Sequence, residues 1–457
     1  MRPTVNPIPD AIKPIWRALA FVQTCNGLAF GLYLYTFGPW FYDAFGGDHN
    51  AATAMMLTSV LLGVRQAGVA VLEAPTGAIA DAIGRVHAIS WAWFFRVFFF
   101  SALAVLPLFH GITAVFLCAI FASISFAFAS TFYNGALSAW VVDTCRVVDP
   151  HYQYGHLFVR GYSAMLWAEL VGALIGITCF LEGVAYAAYI MGAFVCFVAM
   201  SYCLREMPES RHLNFLGLKA TFSTITKRVG ELLGIGAMVL RRAPAITVLI
   251  LLYATTLFLE NVVKYFWPIA VRAQLGVTNR QFTWLLLVSV MCLAAIVGAR
   301  SLRFLLDRIH RTDPRRQLVV IRRSLLGLCF ASATAVLALA VANRYGYDSF
   351  WWVMSIVVFI SLTFGFLKPC YETLANHYIP PDFIQARATI LSFGSMTRGA
   401  LLLVLAVPSG GNSSATTTQG WAVPACAVLL SVFIARVVLK RNERRLFSEG
   451  TPTITST

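Results

Sequence analysis

The chain has 457 residues, 59% hydrophobic and 12% charged, with a mean hydropathy of +0.73 and a net charge of +15. A soluble domain carries about 25% charged residues, so this composition excludes an ordinary water-facing globule and points to the bilayer as the solvent. The basic excess would suggest nucleic acid in a soluble protein, but here it concentrates in short connectors between apolar runs, which marks membrane topology, and no nucleic-acid partner is expected.

The segment from Met1 to Ile15 lacks the roughly 7–15-residue apolar core of a cleavable signal peptide, so the first apolar run is expected to stay as a helix. A transmembrane helix needs roughly 20 apolar residues. Twelve runs meet that need in the sequence: 17–42, 51–80, 87–108, 112–142, 157–181, 184–204, 245–270, 281–303, 317–341, 350–378, 386–407 and 420–440. Longer runs are accommodated by tilt. With both termini cytoplasmic, 27 of the 35 Lys and Arg residues fall in cytoplasmic segments or at the cytoplasmic ends of spans, 3 in external loops and 5 deeper within spans. That asymmetry is the positive-inside pattern, and a miscount of one helix would destroy it.

Between the sixth and seventh spans, residues 205–244 hold seven basic residues. Leu218, Phe222, Ile225, Val229 and Leu232 recur there at helical spacing, with Lys219, Lys227, Arg228 and Glu231 between them. The spacing predicts an amphipathic helix at the membrane surface. The expected organisation is an all-α integral membrane protein: an N-terminal six-helix half (1–204), a connector (205–244) and a C-terminal six-helix half (245–457).

The connector between the second and third spans follows Glu73-Ala74-Pro75-Thr76-Gly77 and continues Ala78-Ile79-Ala80-Asp81-Ala82-Ile83-Gly84-Arg85. Gly77 permits close helix approach. Asp81 is placed to complement the positive start of span 3, Gly84 permits a tight turn, and Arg85 needs an acid at the membrane edge. Asp143, ending span 4, is the candidate.

This segment resembles the signature loop of the major facilitator superfamily, G-x-L-A-D-R-x-G-R-R, with Ala82 and Val86 in place of two basic residues. The preceding E-x-P-T-G is similar to bacterial drug/proton antiporters. The resemblance implies that Gly77, Asp81, Gly84, Arg85 and Asp143 form a conformational latch on the cytoplasmic side. Gly298 with Arg300, Arg303, Asp307 and Arg308 is a degenerate echo, and Arg387-Ala388-Thr389 looks like the start of span 11 in such relatives.

Nine ionisable residues lie inside spans away from their cytoplasmic entry ends: Arg65, Glu73, Arg96, Glu169, Glu260, Lys264, Lys368, Glu372 and Arg398. Each costs about 2.5–3.5 kcal/mol at a bilayer centre on the gentlest scale, so they are expected to face the bundle interior or a wet path. The resemblance implies that spans 1, 4, 7 and 10 line a central cavity. That favours Gln23, Asn26 and Tyr33, then Tyr133 and Asn134, then Glu260 and Lys264, then Lys368, Tyr371 and Glu372. Arg65, Arg96, Glu169 and Arg398 are expected to complete or brace it. Glu260, deep in span 7 with Lys264 one turn later, is the leading proton site, with Glu169 and Glu372 in reserve. Trp40, Phe41 and Tyr42 suggest an interfacial belt, while Phe94, Phe95, Phe98, Phe99 and Phe100 suggest packing or lipid contact.

The ten cysteines show no C-x-x-C spacing and the eight histidines no H-x-x-x-H pair, so neither a metal nor a cofactor is expected. No phosphate-binding P-loop is present, so an ion gradient is the expected driving force. The expected function is secondary active transport by alternating access, with proton-coupled export of a small amphipathic or anionic organic compound. Proton-coupled uptake of a nutrient or metal chelate is the alternative. An embedded enzyme would need a His/Asp constellation at a membrane edge, and a transporter-like sensor would bind without flux. The expected partners are a small-molecule substrate, protons and membrane lipids, with the protein a monomer in a bacterial inner membrane.

Overall fold

The computed structural model describes residues 9–45, 51–149, 152, 154–208, 222–272, 280–309, 314–344, 350–379, 383, 387, 389–393, 396–397, 400 and 422–448. Every regular element among them is helical. An apolar solvent offers backbone groups no partner, so a spanning chain satisfies them within its own helix. Nine of the helices among the described residues are long and apolar enough to cross a membrane, and a bent pair at 229–260 makes a tenth.

The N-terminal half contains α1 (Lys13–Leu34), α2 (Phe37–Ala44), α3 (Ala51–Ile83), α4 (Arg85–Val105), α5 (Ile112–Tyr133), α6 (Ala136–Val148), α7 (Gly155–Leu181) and α8 (Ala185–Glu206). Two predicted spans are broken. Span 1 divides at Tyr35–Thr36, where the Thr36 hydroxyl donates back to the Tyr33 and Leu32 carbonyls. Span 4 divides at Asn134–Gly135, and Gly135 takes φ +75°, a left-handed conformation that favours glycine.

The second half contains α10 (Pro244–Arg272), α11 (Arg280–Ile309), α12 (Pro314–Arg344), α13 (Phe350–Tyr378) and α14 (Ala422–Ser448). The predicted eleventh span falls largely outside the described residues, though 387 and 389–393 are helical. Between the halves, α9 (Phe222–Arg242) meets the helix that starts at Pro244 at 99°. Its Leu232 and Val239 pack against Ala78 and Ala82 of α3 and against Ile246, Ile250, Ile379 and Ile390, while Lys227, Glu231, Arg241 and Arg242 are exposed. The amphipathic pattern therefore buries its apolar side on protein. Leu218 lies outside the described residues, as do the side chains of Phe222 and Ile225.

Close helix contact is set by small residues. On α1, Gly27 and Gly31 lie against the Met165 and Glu169 carbonyls of α7, and Gly172 and Gly176 of α7 lie against Leu28 and Leu32. In the second half, Gly298 and Gly365 join α11 and α13 in the same way. The halves meet where Tyr162, Met165 and Leu166 of α7 pack on Ala295, Ile296 and Ala299 of α11.

The outer surface is apolar, as lipid requires: Leu117, Phe121, Phe194, Phe197, Leu430 and Phe433 are all exposed. Phe94 and Phe98 are exposed, whereas Phe99 and Phe100 are buried. The expected belt at Trp40, Phe41 and Tyr42 is corrected. Phe41 is fully buried, and Trp40 packs on Phe180 and Tyr189, because this stretch of α2 faces α7 and α8 rather than the lipid–water boundary. Trp351 and Trp352, at the start of α13, are exposed tryptophans at a helix end.

Candidate functional site

At one end of the bundle, α3 stops at Ile83, Gly84 turns the chain with φ +116°, and Arg85 begins α4. The Arg85 side chain is wholly buried and ion-paired to Asp81 at 3.0 Å and to Asp143 of α6. Asp143 also lies 3.8 Å from the buried guanidinium of Arg387 in the second half. The second Asp81 oxygen accepts from the Thr389 backbone N–H and hydroxyl, both at 2.9 Å. Gly77 is buried one turn before Asp81, and Glu73 is buried one turn before that.

Asp81 therefore does not complement the start of span 3, as its place in the sequence suggests. It sits in the last turn of α3, where the helix dipole disfavours a carboxylate. Arg85 offsets that, and Asp81 instead caps the helical segment 389–393 across the boundary between halves. Arg387 and Thr389 complete a charge cluster that spans both halves. Their sequence signal was the Arg387-Ala388-Thr389 run.

Away from this end, a cavity of about 230 Å³ opens between the halves. Asn26 of α1, Arg65 of α3, Arg96 of α4, Tyr133 and Asn134 at the break in span 4, and Glu169 of α7 line its N-terminal wall. Glu260 of α10 with Lys368, Tyr371 and Glu372 of α13 line the other. Gln23 lines it too. Lys264 belongs to α10, but its side chain lies outside the described residues, as does Arg398.

Aromatic faces and neutral polar groups hold these charges. The Arg65 guanidinium lies 3.4 Å from the Phe126 ring centre. Arg96 donates to the Asn26 side-chain oxygen and sits 4.6 Å from the Trp93 ring and 4.7 Å from that of Tyr133. The Lys368 ammonium is 4.8 Å from the Tyr162 ring. Such contacts are worth about 2 kcal/mol or more when desolvated. Glu169 accepts from the Tyr35 hydroxyl at 3.2 Å, and that hydroxyl is 3.6 Å from Cys292 Sγ of the other half.

Tyr33, expected in the cavity wall, is instead buried in a ring cluster with Phe30, Phe37, Phe99, Phe100 and Phe126, its hydroxyl accepting from Arg65 at 3.4 Å. The local turn of α1 points it to α4 and α5. Sequence reading missed Gln66, Tyr162, Tyr253 and Asn376 in the lining. Tyr253 stacks on Tyr371 at 3.6 Å. Asn376 had a signal, being one turn beyond Glu372 on the same helix face. Tyr162 and Tyr253 had none beyond being aromatic residues in apolar runs. Among the described residues no group of His, Cys, Asp and Glu is arranged to hold a metal.

No curated protein matches the chain. Among solved structures, it is similar to the human organic anion transporter MFSD10 (TETRAN), at 17% identity over 94% of this chain and 100% of that one, TM-score 0.63. It is also similar to a bacterial homologue of the iron transporter ferroportin in an outward-facing state, at 15% identity over 93% and 98%, TM-score 0.62. The xylose transporter XylE from E. coli, in a partially occluded inward open conformation, matches at 13% over 92% and 96%, TM-score 0.60. At these identities the likeness shows the fold alone. That fold is all-α and membrane-integral, and its solved relatives are transporters rather than enzymes. The family model described as Major Facilitator Superfamily matches residues 19–407, most of the chain, and the chain belongs to that superfamily.

Proposed function

We propose that the chain is a proton-coupled secondary transporter that exports a small organic compound carrying an anionic group. One observation supports this reading above the others: a charged cavity between the halves with a buried charge cluster tying both halves together at one end. A solute site at the boundary between repeats, sealed on one side, is what alternating access requires. In this reading residues 1–204 and 245–457 are the rocking halves, and 205–244 joins them. Asp81, Arg85 and Asp143, with Arg387 and Thr389, form the latch. The guanidiniums of Arg65 and Arg96 support an anionic group on the substrate.

The sidedness follows from the basic residues. The latch end, both termini and the connector are cytoplasmic, and the protein works as a monomer in a bacterial inner membrane. Single cysteines introduced by Ser223→Cys and Ser413→Cys on a cysteine-free background test this. An impermeant maleimide added to intact cells should label the second and spare the first; external labelling at position 223 sinks the topology.

Glu260 is the proposed proton site. It is buried and lines the cavity wall, where both a proton and a substrate charge can reach its carboxyl. Glu260→Gln in proteoliposomes with an imposed pH gradient should still exchange substrate across the bilayer. Accumulation against the substrate gradient should fall at least about tenfold, the order of effect of removing one coupling step. Accumulation that survives unchanged places the proton route elsewhere.

A further inference from the structure

The cavity holds two opposite charges on opposite walls, neither of them in an ion pair among the described residues. Arg96, on the N-terminal wall, is nine-tenths buried. Its contacts are neutral: the Asn26 side-chain oxygen and the faces of Trp93 and Tyr133. Glu372, on the C-terminal wall, has no ion pair among the described residues. Lys368, one turn before it on the same helix, acts on it electrostatically but forms no ion pair with it, its ammonium lying over the Tyr162 ring. The Tyr133 hydroxyl is within electrostatic reach of both Arg96 and Glu372. Both Tyr133 and Tyr371 present buried hydroxyls with no hydrogen-bond partner among the described residues.

A buried charge without an ion pair is costly. Two such charges of opposite sign across one small cavity are both satisfied by a ligand that carries the complementary pair. An anion alone would satisfy Arg96 and leave Glu372 unmatched, and a cation would do the reverse. We propose that the cavity takes a zwitterion, with its anionic group on Arg96, its cationic group on Glu372, and its body against Tyr133 between them. The Tyr253–Tyr371 pair gives the cationic end a flat, electron-rich neighbour. Because Arg96 and Glu372 belong to different halves, the ligand's two charges bridge the boundary that moves. This assignment rests on the transporter reading and names its substrate class.

The test is calorimetric titration of the full chain in nanodiscs. The probes are phenylalanine, γ-aminobutyrate, δ-aminovalerate and alanyl-alanine, each beside the same acid without its amine and the same amine without its carboxylate. At least one zwitterion should bind about tenfold or more tighter than both of its analogues, since each lost charge strands a buried partner. Glu372→Gln should remove the preference over the des-amino acid, Arg96→Gln the preference over the amine, and Glu372→Asp should retain it. Equal affinity for a zwitterion and its des-amino acid, a preference that survives Glu372→Gln, or no binding by any zwitterion overturns the assignment. Counterflow separates the two readings. An anion that binds and exchanges as well as its zwitterion leaves the transporter standing without this substrate class. A bound zwitterion that never exchanges sinks the transporter instead.

Discussion

Arg85→Met is expected to open the end of the bundle that the proposed latch would hold closed, and to reduce transport by at least about a hundredfold. The side chain is fully buried between Asp81 and Asp143. Methionine matches its length but leaves two buried carboxylates short of their nearest cation. Removing one partner from a buried pair costs about 3–5 kcal/mol, and that cost falls only on the closed arrangement. In the open arrangement that alternating access requires, the carboxylates would separate and hydrate. A shift of that size moves the equilibrium between the two by a hundredfold or more, at about 1.4 kcal/mol per tenfold.

Ala78→Cys on a cysteine-free background supplies the readout. Position 78 is buried where α3 packs on α9 and on Ile390 of the second half. Its alkylation by a small maleimide should be slow with Arg85 present and at least about tenfold faster in the Arg85→Met protein. The double substitution Arg85→Met with Asp143→Leu should recover part of the closed state, since it removes one stranded charge. Unchanged alkylation together with full counterflow would show that the cluster orders the loop without holding the halves.

Gly31→Val is expected to prevent a stable fold. A Cβ at Gly31 overlaps the Glu169 carbonyl oxygen and lies 2.6 Å from the Ala173 nitrogen, both backbone atoms of α7. No rotamer change relieves a clash with backbone, so α1 and α7 must separate along their whole contact. Overpacking in a core costs about 1–3 kcal/mol when side chains yield, and here the cost should exceed that range. The expected result is a broad or void-volume peak in detergent size exclusion and a strongly lowered Tm. Gly63→Ala is the matched control. It lies inside α3 with nothing within 4 Å of a new Cβ, and alanine favours helix by about 0.8–1.0 kcal/mol over glycine. It should leave the peak and the Tm unchanged or slightly raised. A monodisperse, thermally normal Gly31→Val protein would show that the α1–α7 crossing is looser than its geometry implies.

The fold was legible because the bilayer asks one simple thing of a sequence. Each span must be an apolar run, so α3, α7, α8 and α13 coincide with predicted runs to within a few residues. The breaks at Tyr35–Thr36 and Asn134–Gly135 were not legible. Hydropathy continues across both, and Asn-Gly is a common turn signal that a span-length window averages away. Ionisable residues in spans cannot face lipid, so Arg65, Arg96, Glu169, Glu260 and Glu372 were identifiable from sequence as interior and the structure gathers them at one cavity. Neutral lining residues such as Tyr162 escape the same logic, since a tyrosine packs as readily as it lines. The partner of Asp81 was hidden for another reason: Thr389 lies 308 positions along the chain, and which helix start meets which helix end is decided by the packing of whole halves.

The break in span 4 makes α6 a short separate rod. One end, at Gly135, lies in the cavity wall, and the other carries Asp143. Eight residues separate them, roughly 12 Å at 1.5 Å per residue, too short a stretch of helix to bend appreciably. A few degrees of pivot at the Asn134–Gly135 joint, where a backbone without a Cβ at position 135 turns most freely, therefore swings the Asp143 carboxylate bodily through the same angle. In the proposed transport cycle, occupancy of the cavity would be converted into displacement at the far charge by leverage, with Trp140 and Val141, fully buried along the shaft, as its bearings.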